Sequence, residues 1–226
     1  MNPFIIPMMN FTGIGLTCVR SDRVVFDKLE FSVAEGEVLY LRGPNGSGKS
    51  SLIRIMAGLL RPATGHIFWN GENIPKVLDS FKENLHYVGH QNAIKGVLSV
   101  RENLSFWASM CDIGLEKQSI DEALEKFELN NLANLPARFL SAGQARKLNL
   151  ARLSATAAPL WLLDEPANSL DEASANSLIE TIANHQKNGG IVIMATHGAV
   201  SSNGKVLELS DFAFDPFNPQ EEGVAQ

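Results

Sequence analysis

Apolar residues along this chain follow two rhythms. Near the start they come in short runs or alternate with polar residues. Thr17-Cys18-Val19 and Val24-Val25-Phe26 flank a polar stretch, Arg20-Ser21-Asp22-Arg23, that reads as a turn. Residues 29–33 alternate with period two, the mark of a half-buried strand. Glu35-Gly36 turns the chain, and Val38-Leu39-Tyr40-Leu41 is an apolar run short enough for a strand covered on both faces. The rhythm then changes. Over 51–60 the spacing is helical, with Leu52, Ile55, Met56 and Leu59 on one face and Pro62 and Gly65 as stop signals. Ile67-Phe68-Trp69 is a strand followed by the hairpin signal Asn70-Gly71.

Residues 86–89 form one more short strand ahead of a long helical block over 99–156, broken near 112–114 and 130–136. Leu160-Trp161-Leu162-Leu163 returns to a buried strand. A helix over 172–187 ends at Gly189-Gly190, and strands follow at 191–195 and 206–209. Strands that alternate with helices, interrupted by an all-helical block, predict an α/β core with a helical insertion. We expect one domain over 1–210, with a helical subdomain over about 93–156, and an acidic tail over 211–226.

Composition narrows the class. Of 226 residues, 45% are apolar and 19% charged, which excludes a disordered or fibrous chain. The net charge is −6, and Arg146-Lys147 is the single pair of adjacent basic residues. That argues against a nucleic-acid partner, which needs a basic stripe. Cys18 and Cys111 are too few for a disulfide scaffold and read as reduced thiols. No apolar run approaches the roughly 20 residues of a membrane span, and residues 1–10 lack the charged start of a signal peptide.

The chemistry begins at Gly43-Pro44-Asn45-Gly46-Ser47-Gly48-Lys49-Ser50, set between a predicted strand and a predicted helix. This spacing is that of a phosphate loop. Its glycines let successive backbone N–H groups turn inward as a nest for phosphate oxygens, and the helix behind it points its positive end at the same anion. Lys49 supplies a charge to the β- and γ-phosphates and Ser50 a hydroxyl to Mg²⁺, with Ser51 beside them. Downstream, the apolar strand 160–163 ends in Asp164-Glu165. The aspartate is suited to holding Mg²⁺ and the glutamate to polarising an attacking water. Leu140-Ser141-Ala142-Gly143-Gln144 opens a helix, and Ser141 with Gln144 three positions on also satisfies a capping box.

In this order, the phosphate loop, Gln91, Leu140 to Gln144, Leu162-Leu163-Asp164-Glu165-Pro166, Ser169-Leu170-Asp171 and Thr196-His197 resemble the nucleotide-binding subunits of ABC transporters. The resemblance covers nearly the whole chain and implies a phosphate-loop NTPase core of ABC type, with an N-terminal antiparallel β subdomain and a helical insertion subdomain. It implies that residues 43–51, that is Gly43, Pro44, Asn45, Gly46, Ser47, Gly48, Lys49, Ser50 and Ser51, bind ATP. Ser50, Gln91 and Asp164 would hold Mg²⁺, with Glu165 as general base, His197 on the γ-phosphate and Gln91 also sensing that phosphate. Ser141, Gly143 and Gln144 would serve the ATP of the opposite subunit, with Asp171 at the dimer seam. Catalysis would therefore need a homodimer, docked on an integral membrane permease at the cytoplasmic face of the inner membrane.

Two positions depart from the family pattern. Ala142 replaces a glycine, and where the family carries an adenine-stacking aromatic before the Leu29 strand this chain reads Cys18-Val19-Arg20-Ser21. Arg20 is the candidate substitute, through its planar guanidinium. Leu41 to Gly46, Val88-Gly89-His90-Gln91 with Lys95, Glu102-Asn103-Leu104 and the alanine-bearing signature resemble, more narrowly, the ATP-binding subunits of the cytochrome c maturation system, described as a heme exporter. Two alternatives stay open: an ABC transporter for another substrate, and a soluble ABC ATPase. Ile94, Val97 and Leu98 are candidates for an apolar groove that receives the permease.

Overall fold

A computed structural model describes residues 9–110, 120–196 and 204–214. The N-terminal part is an antiparallel sheet. β1 (Asn10–Arg20) and β2 (Arg23–Ala34) form a long hairpin, and β4 (Thr64–Trp69) and β5 (Glu72–Asn73) extend it in the order β2-β1-β4-β5. The two predicted pieces of β2 are one strand, bulged at Lys28, whose φ is 51°. Asn70 and Gly71 adopt φ of 52° and 80°, the left-handed pair of the hairpin turn between β4 and β5.

The second sheet is wholly parallel. Its strands are β3 (Val38–Arg42), β6 (Leu85–Val88), β7 (Leu160–Asp164), β8 (Ile191–Ala195) and β9 (Lys205–Glu208), in the order β6-β7-β8-β3-β9. Alternation within its apolar runs builds two cores. Leu39, Leu41, Leu160, Leu162, Ile191 and Ile193 face the antiparallel sheet and the helix α1 (Lys49–Met56). Val38, Tyr40, Trp161, Leu163 and Val192 face α3 (Val100–Met110), α4 (Ile120–Lys126), α5 (Ala142–Ala155) and α6 (Glu172–Lys187). The fold is the expected α/β core, with α3, α4 and α5 lying between β6 and β7.

Several expectations are corrected. α1 begins at Lys49 and ends at Met56, where the chain turns through Gly58, so Leu59 leaves the apolar face and is 54% exposed. A short helix, α2 (Leu78–Glu83), and a 3-10 turn, Ile74–Lys76, follow β5 without a strong pattern in sequence. Their purpose is to deliver Phe81, which stacks on Phe11 with ring centroids 6.0 Å apart. Residues 130–136, read as a break, contain a 3-10 turn at Asn130–Leu132, and another at Ala137–Phe139 leads into α5. Past β9 a 3-10 turn, Leu209–Phe212, buries Leu209 and packs Phe212 on the core, while Asp211 is exposed. The expected break at 112–114, Cys111, His197 and the tail from residue 215 lie outside the described residues.

Candidate functional site

The parallel strands all end at one edge of their sheet, and the phosphate loop leaves β3 there. Gly48 caps α1 with φ 101°, and a Cβ on it would fall 2.7 Å from Val25 Cγ1 and 2.9 Å from Phe26 Cδ1. Only glycine fits this close approach of the loop to β2. Lys49 is buried, and its ammonium donates to the carbonyls of Gly43 at 2.7 Å and Pro44 at 3.1 Å, so the charge is folded back over the loop. The loop opens on a cleft of 470 Å³, lined by Asn45, Gly46, Gly48, Lys49, Ser50 and Ser51, with Arg20, Val25, His90 and Glu165 around them.

β7 delivers the acids to the same place. Ser50 Oγ donates to Asp164 Oδ1 at 3.0 Å. Burial pushes the Asp164 carboxyl above the usual carboxylate range, while the Ser50 hydroxyl pulls it down. Glu165 stands at φ 47°, left-handed for a side-chain-bearing residue. Its N–H donates to Ala195 O at 3.1 Å, and its Oε2 accepts from Asn168 Nδ2 at 2.5 Å.

The Leu140-to-Gln144 segment is elsewhere: none of its residues lines this cleft. Ser141 caps α5 reciprocally, its Oγ accepting from Gln144 N at 3.2 Å and its own N–H donating to Gln144 Oε1 at 2.9 Å. Ser141 and Ala142 are exposed. Gly143 lies against the loop before α6, where an added Cβ would come 3.2 Å from Ser169 O. Asp171 caps α6 at Ser174 N, 2.9 Å, and pairs with Lys147 of α5 at 2.8 Å, which holds its carboxyl well below the ordinary range.

The structure thus brings together residues 45, 46 and 48–51 of the loop with Arg20, Asp164 and Glu165, and leaves Ser141, Gly143, Gln144 and Asp171 outside the cleft's lining. Gln91 is exposed and does not line the cleft, whereas its neighbour His90 does. Sequence reading missed His90 and also Arg146. Arg146 is buried, and its guanidinium reaches the carbonyls of Gly89, Asp164, Glu165 and Pro166. The adjacent basic pair in the sequence gave no sign that one member turns inward.

The sequence profile of the family described as ABC transporter matches residues 26–168. A protein named cytochrome c biogenesis ATP-binding export protein CcmA, from Paramagnetospirillum magneticum, is 48% identical over 206 residues, covering 90% of this chain and 95% of its own. A solved structure described as an ABC transporter ATP-binding protein, from Pyrococcus furiosus, superposes with a TM-score of 0.78 at 27% identity, covering 91% of this chain and 100% of its own. An ATP-binding cassette solved as a dimer in a post-hydrolysis state with ADP and Pi superposes with a TM-score of 0.70 at 22% identity, over 84% of this chain and 88% of its own.

Proposed function

Because this chain belongs to the ABC transporter family, we propose that it is the ATP-hydrolysing subunit of a membrane complex that serves cytochrome c biogenesis. The observation that carries the reading is the convergence of the phosphate loop, Asp164 and Glu165 on one cleft, while the Ser141 face lies apart. A cleft built so holds ATP by its phosphates, and its missing wall is the α5 N-terminus of a second copy. Exposed N–H groups at a helix start favour an anion there. In the dimer, Ser141, Gly143 and Gln144 of one copy close on the γ-phosphate held by the other, with Asp171 at the seam.

Ser50 and Asp164 are an all-oxygen pair suited to Mg²⁺, a cation that takes few protein ligands and leaves phosphate oxygens and water to complete its shell. Held by these two residues, Mg²⁺ would offset the charge on the transferred phosphoryl group. Glu165 orients water for in-line attack and accepts its proton, with Asn168 steadying the carboxylate. Gln91, exposed next to His90, would be the third Mg²⁺ ligand that the family resemblance implies. His197 keeps the γ-phosphate role that the family resemblance implies.

Among the described residues no helix is long and apolar enough to cross a membrane. The subunit meets the membrane at its cytoplasmic face through a permease. Val97, 77% exposed, and Phe106, with Lys95 Nζ over its ring at 4.6 Å, offer an apolar seat. Ala137 N donates to Leu98 O at 2.8 Å and Arg138 N to Gly96 O at 3.0 Å, so a push on that loop is felt by the segment leading to Ser141. The cargo of such a complex is heme in our reading. The test is purification of tagged Glu165→Gln protein from native membranes with ATP present. A cytochrome c maturation membrane protein should copurify, and hydrolysis should be lost. Recovery of an unrelated permease overturns the biogenesis assignment, and an active variant overturns the role of Glu165.

A further inference from the structure

Arg146 is 5% exposed in the body of α5, and no carboxylate among the described residues bonds it. All five of its N–H donors are nevertheless engaged. Nε donates to Pro166 O at 3.1 Å. Nη1 donates to Gly89 O at 2.9 Å and to Asn92 Oδ1 at 3.5 Å. Nη2 donates to Asp164 O at 3.1 Å and Glu165 O at 2.8 Å. Burying a guanidinium among neutral acceptors is costly unless every donor finds a partner, and here every one does. The position therefore asks for what only arginine offers, a rigid planar fork that reaches several acceptors at once.

The acceptors are three consecutive carbonyls, 164–166, and the two ends of the loop 89–92. The first group brackets Glu165, whose backbone is held at φ 47° and gains nothing from that conformation by itself. The second brackets His90, which lines the phosphate cleft, and Gln91. Asn149 of α5 reinforces the second arm by donating to Asn92 Oδ1 at 3.2 Å. One side chain on the helix that Ser141 caps thus holds both the turn that carries Glu165 and the loop that carries His90 and Gln91.

We propose that Arg146 is a positioning residue for hydrolysis: it fixes the Glu165 turn in its left-handed conformation and locks that turn to the 89–92 loop and to α5. This rests on Glu165 as general base. Arg146 bonds no phosphate-loop residue and does not line the cleft, so the clamp acts on turnover and not on nucleotide binding. It also ties the aim of Glu165 to where the 89–92 loop stands. Lysine keeps the charge but brings three donors on one nitrogen, too few and too compact to span both groups.

The test compares Arg146→Lys, Arg146→Ala and Glu165→Gln in the full chain, reading ATP affinity by fluorescent-nucleotide titration and turnover by phosphate release. We expect kcat to fall about 10- to 100-fold in both Arg146 variants, with nucleotide Kd within about twofold. Millimolar methylguanidinium should restore kcat of Arg146→Ala at least several-fold, and should do nothing for Glu165→Gln. Unchanged kcat, or Kd and kcat lost together without rescue, overturns the clamp. Should Arg146→Ala fail to fold, Arg146→Lys and Asn92→Ala carry the test: Asn92→Ala removes one contact of the second arm, with Gly89 O kept, and should lower kcat less than Arg146→Lys, and an unaltered kcat in both overturns the proposal. Full activity in Glu165→Gln would instead refute the general-base reading, independently of Arg146.

Discussion

Ser50 Oγ and Asp164 Oδ1 lie 3.0 Å apart, although 114 positions separate them in the chain. The bond joins the first turn of α1 to the end of β7. Asp164→Asn keeps this bond's geometry but removes the charge that a divalent cation needs. Nucleotide binding should survive in the absence of magnesium, and the gain in affinity on adding magnesium should disappear. Titration of fluorescent nucleotide with and without the cation reads both. An unchanged gain would remove Asp164 from the metal site.

Arg20 borders the cleft beside Val25. If its guanidinium stacks on the adenine, Arg20→Ala should raise the ATP KM about 5- to 10-fold with little change in kcat, as expected for loss of a contact made equally in ground and transition states. Steady-state kinetics decide it. A constant KM would leave the base without a stacking partner in this subunit.

Asn103 is buried and ties down the loop that presents Val97. Its Oδ1 accepts from Lys95 N at 2.9 Å, and its Nδ2 donates to Lys95 O at 3.1 Å, Leu98 O at 3.3 Å and Ser99 O at 2.9 Å. Asn103→Leu strands Lys95 N, while the three carbonyls keep their backbone donors, and should cost about 1 to 3 kcal/mol. Urea denaturation should show it. ATP binding in solution should be spared, because the phosphate loop is not involved.

Stability should weaken on the acid side of neutrality. His86 accepts or donates at Thr156 Oγ1, 2.7 Å away, and His185 lies flat on Trp161 with centroids 3.7 Å apart. Burial first, then the Arg152 cation, holds His86 down at about 4, and burial holds His185 at about 4. Unfolded, both titrate near 6.5. Between about 6.5 and about 4 the unfolded chain therefore takes up protons that the folded chain does not, and stability falls as pH falls through that window. Each histidine contributes at most about 1.4 kcal/mol per pH unit. His185→Phe preserves the stack and should flatten the slope. Urea midpoints that do not move between pH 7.5 and pH 5 would contradict this.

How far the chain could be read from its sequence depended on whether a feature was local. The phosphate loop, the apolar run of β7 with its two terminal acids and the capping box at Ser141 are contiguous in sequence, and each appears where expected. The misreadings have physical causes. Lys28 interrupts the period of β2 because a bulge absorbs it. Leu59 fits the α1 spacing, but the helix has already ended. α2 has one buried residue, Phe81, too little for a periodic signal. Arg146 was hidden for another reason. Its partners come from the loop after β6 and the turn after β7, and no spacing within α5 announces acceptors supplied by other segments.

β3 carries the phosphate loop, and its neighbours in the sheet are β8 and β9. A ribosome releases residues 38–50 long before it has made 191–208. During that interval the loop has no sheet to stand on, because both flanking strands are still unwritten, and pairing over such separations is the slow part of folding. Cellular ATP, present throughout, finds nothing organised to hold. Nucleotide binding should consequently be among the last properties the growing chain acquires, and a product that stops short of β8 should not sequester ATP.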